Sequence, residues 1–175
     1  MMSALSVVQR GARIGLVVTG ALAFLPPLLT RLVMGEAFFL TGRGKLANFD
    51  NTVQFFTNLG IPMPELNAAF VSRLEFYGGI ALILGLLTRL VAAGLASTMV
   101  VALLTADKQG FLDALHMSGD AGLTDIVPFV YLIFLLWLVI AGPGPLSLDA
   151  LVSRWLHLRP AATPVPGADG DPARA

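Results

Sequence analysis

The chain has 175 residues, 56% of them hydrophobic and 13% charged, with 11 basic and 11 acidic side chains and no cysteine. A mean hydropathy of +0.80 is more than one soluble core of this length can bury, so lipid takes up the excess. The zero formal charge excludes a nucleic-acid binder, which needs a basic face against phosphates, and the absent thiols exclude disulfides, thiolate metal sites, iron–sulfur clusters and cysteine nucleophiles within the chain.

In chain order, the apolar stretch 14–25 comes first. It stops at Pro26-Pro27 and is too short to span a bilayer, so it lies in the interface or extends the first helix; its basic lead-in, Arg10 and Arg13, also resembles a short signal peptide. A spanning helix needs roughly 20 apolar residues, because the hydrocarbon is about 30 Å thick and each residue rises about 1.5 Å. Four stretches approach this length: 28–45, opened by the two prolines, then 66–87, 90–106 and 126–141. The expected fold is therefore an all-α integral membrane protein, a four-transmembrane-helix bundle over residues 26–142.

The second and third of these helices are rich in small residues, with Gly78, Gly79 and Gly85 on one and Gly94 on the other. Small residues let backbones approach closely in lipid, so these two helices are expected to pack tightly together. The fourth reads IVPFVYLIFLLWLVIA, a lipid-facing composition or a bulky packing partner. In GPGPLSLDALVSRWLHLRP, Ser147 can cap a short helix with Asp149 in its first turn. Leu148, Leu151, Trp155 and Leu158 then share one face, which predicts an amphipathic surface helix within 143–159. The tail 160–175 holds no large apolar residue beyond valine and is expected to be disordered.

Basic residues near helix ends set orientation. Arg10, Arg13, Arg31, Arg89, Arg154, Arg159 and Arg174 fall at one side, and Arg43, Lys45 and Lys108 at the other. Both termini are thus predicted to be cytoplasmic.

Charges inside the bilayer cost about 2.5–3.5 kcal/mol each on insertion scales, which makes them functional candidates. Glu36, Arg43, Arg73 and Glu75 fall within the predicted spans and Lys45 at the end of one. Arg73 and Glu75 are about 200° apart on their helix and cannot pair with each other. Glu36 is expected to meet Arg73, and Glu75 to face Arg43 or Lys45. The cluster either binds an anionic or quinone-like ligand or fixes helix register. His116 and His157 fall on opposite sides, so no bis-histidine haem is expected, and no phosphate loop, nucleophile elbow or zinc motif occurs. No metal and no resident cofactor are expected.

The runs LPPLLTRLVMGEAFFLTGRGKLANF, FFTNLGIPMP and VSRLEFYGGIALILGLLTRLVAAGLASTMVVALLTA resemble the DoxX family of membrane proteins. Arg31, Gly35, Gly42, Lys45, Gly60, Pro62, Glu75, Gly79, Gly85 and Arg89 carry the resemblance, with GPGPLSLD after the last helix. It covers about residues 25–152, and Glu36 stands where the family is expected to be apolar. The resemblance implies a four-helix inner-membrane protein, described through a thiosulfate:quinone oxidoreductase subunit and through a membrane complex with superoxide dismutase and a sulfurtransferase. The expected role is the membrane subunit of an oxidoreductase assembly that handles quinone or a small sulfur or oxidant species, with a soluble redox enzyme and further copies of the chain as expected partners. Two other roles fit the residues. One is a small transporter with Glu36 and Glu75 protonatable; the other is a non-catalytic anchor.

Overall fold

Tandem proline suits a helix start, where the missing N–H would go unused, and α1 (Leu25–Ala47) begins with Pro26 and Pro27 in its first turn. The computed structural model describes residues 20, 22–117 and 122–156. Most of the stretch 14–25, the tail 160–175, His157 and Arg159 lie outside the described residues. After α1 come α2 (Phe49–Asn58), α3 (Pro64–Leu84), α4 (Thr88–Leu104), α5 (Lys108–Leu115), a 3-10 turn at Leu123–Asp125, α6 (Val127–Ala141) and α7 (Leu148–Trp155). The described residues form helices and connections and no strand.

Two helices were not expected. The segment after α1 folds as α2, a short amphipathic helix with Thr52 and Phe56 inward, and the acidic loop after α4 begins with α5, bent 82° from α4. No single described helix is both long and apolar enough to cross a membrane, and the bent pair α4 and α5 passes that test only together. The reason is visible in the composition. α1 carries Arg31, Glu36, Arg43 and Lys45, α3 carries Glu65, Arg73 and Glu75, and the uncharged α6 has 15 residues. α3 also ends earlier than expected, at Gly85, whose left-handed φ of 68° breaks the helix before Leu87.

The tightest packing is between α1 and α3, not between α3 and α4 as the small residues had suggested. A Cβ on Gly42 would lie 2.3 Å from the backbone nitrogen of Phe76, and one on Gly79 2.4 Å from that of Phe39. Gly35 in turn sits against Ile83 and the Gly79 carbonyl. These contacts set one antiparallel register, 35 beside 83, 39 beside 79 and 42 beside 76. Gly78 and Gly94 do face the α3–α4 seam, but against side chains rather than backbone: a Cβ on Gly78 would lie 3.3 Å from Val91, a tight contact, and one on Gly94 3.5 Å from Leu74, an ordinary one. The main partner of α4 is α6. Ala92, Leu95, Ala96 and Met99 pack with Leu135 and Leu138, and with Met34, Phe38 and Leu82 from the first pair. Phe38 meets Tyr131 edge-on at 5.7 Å, closing the core.

A substitution pair tests the α1–α3 contact. Gly42→Ala places a methyl against backbone that cannot yield, and overpacking of this kind costs about 1–3 kcal/mol. Gly44, two residues on, has nothing within 4 Å of its Cβ position, so Gly44→Ala should gain up to about 1 kcal/mol from helix propensity. Unfolding midpoints in mixed micelles should therefore move in opposite directions for the two variants; equal shifts would mean that the close approach is not where stability resides.

Candidate functional site

The α1–α3 register carries Lys45, in the last turn of α1, onto Glu75 of α3. Lys45 Nζ donates to Glu75 Oε1 at 2.6 Å, with the Glu75 side chain 2% exposed and that of Lys45 33% exposed. The second carboxylate oxygen, Oε2, is buried and has no hydrogen-bond partner. A buried polar atom left unmatched costs on the order of 1–3 kcal/mol, more when charged, so it marks an unused binding capacity.

Around the pair, α2 folds back against α3 and closes one wall. Thr52 Oγ1 bonds the carbonyls of Lys45 and Asn48 at 3.2 and 3.1 Å, which pins α2 to the end of α1. Asn67 Nδ2 donates to the Pro62 carbonyl at 2.7 Å and orders the connection into α3. The result is a cavity of about 200 Å³ lined by Lys45 and Glu75, by Phe55, Phe56, Leu59 and Phe70, and by the α4 side from Ser97 to Ala102 with Thr105 just beyond that helix. Ser97, Thr98 and Thr105 each turn their hydroxyl onto a carbonyl of their own helix. The groups still able to bind a polar ligand strongly are Glu75 Oε2 and the remaining N–H donors of the Lys45 ammonium, which has three in all. Chemically this is an ion pair at the edge of an aromatic-lined pocket, with one acceptor unspent.

The other charges of the expected cluster do not join it. Glu36 and Arg73 are both exposed, and no ion pair connects them. In the observed register Arg73 lies level with residue 45, nine residues or roughly 14 Å along α1 from Glu36. Arg73 instead donates to the Ala69 carbonyl at 3.0 Å. Arg43 is exposed with its guanidinium 5.8 Å from the ring centre of Phe39.

A second polar assembly, at the opposite end, escaped the charge-pairing argument. Arg31 is 1% exposed and donates through Nη2 to the Leu146 carbonyl at 2.6 Å. Asp149 accepts from the backbone N–H groups of Leu87 and Thr88 at 2.7 and 2.9 Å, while its own N–H bonds the Gly85 carbonyl at 2.9 Å. These bonds cap α4 and fasten α7 to the α3–α4 turn. Nε and Nη1 of Arg31 are also unpartnered. They are pressed against Gly85, where a Cβ would fall 1.6 Å from Nη1, so no ligand fits beside them. Gly85 thus serves Arg31 rather than a helix–helix seam.

The pairing at the cavity predicts strong non-additivity. Lys45→Met strands a buried carboxylate, and losing one partner of a buried pair costs about 3–5 kcal/mol; with Lys45 a third exposed, the loss should sit at or below the low end of that range. Adding Glu75→Leu should recover much of it. A double-mutant cycle on unfolding free energy reads the coupling, and additive losses would show that the pair contributes nothing.

The sequence matches the DoxX family model over residues 27–108. It is 33% identical over 127 residues to CatD of Bacillus subtilis, whose name provisionally classes it as an oxidoreductase, covering 71% of this chain and 85% of that one. Two inner membrane proteins of Escherichia coli are similarly related: YphA is 34% identical over 70% of this chain and 86% of its own, and YqjF is 33% identical over 73% and 92%. No solved structure matches the chain. Arg31, Gly35, Gly42, Lys45, Glu75, Gly79, Gly85 and Arg89, on which the resemblance was first drawn, all lie inside the matched segment, and the chain belongs to the DoxX family of membrane proteins.

Proposed function

We propose that this chain is the membrane subunit of an oxidoreductase assembly, and that the Lys45–Glu75 cavity holds the ring of a quinone or quinol. The observation that carries the reading is the unpartnered Oε2 of a carboxylate 2% exposed in an otherwise apolar, aromatic pocket. A quinol hydroxyl would donate to Oε2, and the phenylalanines offer ring faces to a flat apolar ligand. At about 200 Å³ the cavity is below the ~300–1,000 Å³ of drug-sized sites, which suits one ring with any tail left outside. The oxidoreductase name of the Bacillus relative points the same way. Electrons would pass to or from a soluble redox enzyme, since this chain has no thiol to carry them.

In the same reading α1, α3, α4 and α6 are four spans in the cell's inner membrane. Their 23, 21, 17 and 15 residues give lengths of roughly 34, 31, 25 and 22 Å at ~1.5 Å per residue. Arg31, Arg89 and Arg154 gather at the α7 end and Arg43, Lys45, Arg73 and Lys108 at the cavity end. The larger basic excess, with the terminal arginines added, assigns the α7 end and both termini to the cytoplasm.

The reading is tested by purifying the full chain in mild detergent and measuring bound quinone by mass spectrometry, then titrating a soluble short-tailed quinol. Glu75→Gln replaces a charge-assisted bond with a neutral one and should weaken binding about tenfold, whereas Glu36→Gln, on an exposed face, should leave it unchanged. Protein that carries only phospholipid and ignores the quinol would overturn the proposal. Proton-coupled flux in proteoliposomes, lost in Glu75→Gln, would replace it with transport.

A further inference from the structure

α7 is docked the wrong way round for a helix in water. At about 100° per residue Leu148, Leu151, Val152, Trp155 and Leu156 share one face, and all are exposed, Leu151 at 62% and Trp155 at 79%. The face turned to the bundle is small and polar: Asp149, Ala150 and Ser153 are the half-buried positions. What holds the helix is hydrogen bonding through Asp149, whose carboxylate accepts from the amides of Leu87 and Thr88 and whose own N–H donates to the Gly85 carbonyl at 2.9 Å. The apolar stripe is therefore presented outward on a fixed mount.

We propose that α7 is an interfacial anchor that lays this stripe into the boundary between headgroups and acyl chains of an anionic bilayer, and so sets the depth of the bundle at that end. Two features select lipid as the occupant. The α3–α4 turn to which Asp149 fastens the helix exposes Leu86, Leu87 and Leu90 as well, so a membrane that wets the turn lies close to the stripe. Arg154 on α7 and Arg89 beside the turn are exposed and complement anionic headgroups at the same level, each basic residue near such a surface contributing about 1 kcal/mol. A tryptophan at the end of the stripe suits the interface, where one edge is apolar and the other wet.

The test uses the full chain with Trp137→Phe, which leaves Trp155 as the sole tryptophan, in vesicles of phosphatidylcholine and phosphatidylglycerol brominated at shallow or deep acyl positions. The expected result is strong loss of Trp155 emission with shallow bromines, weaker loss with deep ones, little quenching by aqueous acrylamide, and weaker shallow quenching when phosphatidylglycerol is left out. Full quenching by acrylamide with none by bromolipid at either depth would overturn the proposal. So would covalent dimers of Leu151→Cys, formed under oxidant in this otherwise cysteine-free chain, accompanied by no bromolipid quenching; they would place a second copy on the stripe.

Discussion

The backbone approach of α1 to α3 decides where every charge on those two helices comes to rest. Three glycines, 35, 42 and 79, allow a spacing that any Cβ would prevent, and because each meets backbone or a branched side chain, the helices have one register and cannot slide. That register places Lys45 opposite Glu75 and separates Glu36 from Arg73. In hydrocarbon there is no hydrophobic drive between helices, so close van der Waals contact and polar pairing must supply the association. The glycine contacts provide the first and position the second. The ion pair adjoins the last glycine contact, where a Cβ on Gly42 would lie 2.8 Å from the Glu75 carbonyl carbon, and α2 packs against α3 beside it.

The two ends of the bundle use buried charge differently. At the α7 end, Asp149 spends both oxygens on backbone amides that a helix start would otherwise leave bare, and Arg31 takes a carbonyl from the Gly-Pro-rich connection. Space is absent there, because Gly85 is filled by the guanidinium itself. At the cavity end, one carboxylate oxygen is spent and one is not, and a void adjoins it. Both ends contain unmatched polar atoms, and it is the cavity adjoining the Glu75 oxygen, against the lack of room between Gly85 and Arg31, that separates a candidate site from a structural latch.

Sequence reasoning located the long helices within a few residues, since prolines, glycines and apolar runs mark their ends directly. Ser147 and Asp149 were legible as a helix start for the same local reason. The second task of Asp149, capping α4, was not, because its partners lie 61 and 62 residues away. α2 and α5 were missed: 10 and 8 residues of mixed polarity look like loop until something packs on them. Small residues on α3 and α4 showed that a close approach would occur, but glycine on α1 could serve as well, and composition does not choose between neighbours. Lys45 was one of two partners offered for Glu75, and the Glu36–Arg73 pairing failed because the glycine register, which no residue pattern on either helix alone reveals, sets the two far apart along α1.

The failure of the helices, one by one, to look like membrane spans follows from the same packing. Of the charges on α1 and α3, Glu75 is paired with Lys45 and Arg31 is held by the Leu146 carbonyl, while Glu36, Arg43 and Arg73 stay on exposed faces. On the proposed topology the unit whose surface meets lipid is the packed pair, not the single helix, and a hydropathy window sees only the latter. α6, with no charge and Leu135 and Leu138 fully buried, fails on length instead. On the same proposed topology Lys45, in the last turn of α1, reaches the boundary between hydrocarbon and headgroups, while α4 runs alongside the pair and walls the cavity. A lysine one-third exposed beside a glutamate that is 2% exposed is what that boundary demands: a cation that reaches water and a carboxylate that does not, which together can present a charge to an apolar ligand without carrying a net charge into the membrane.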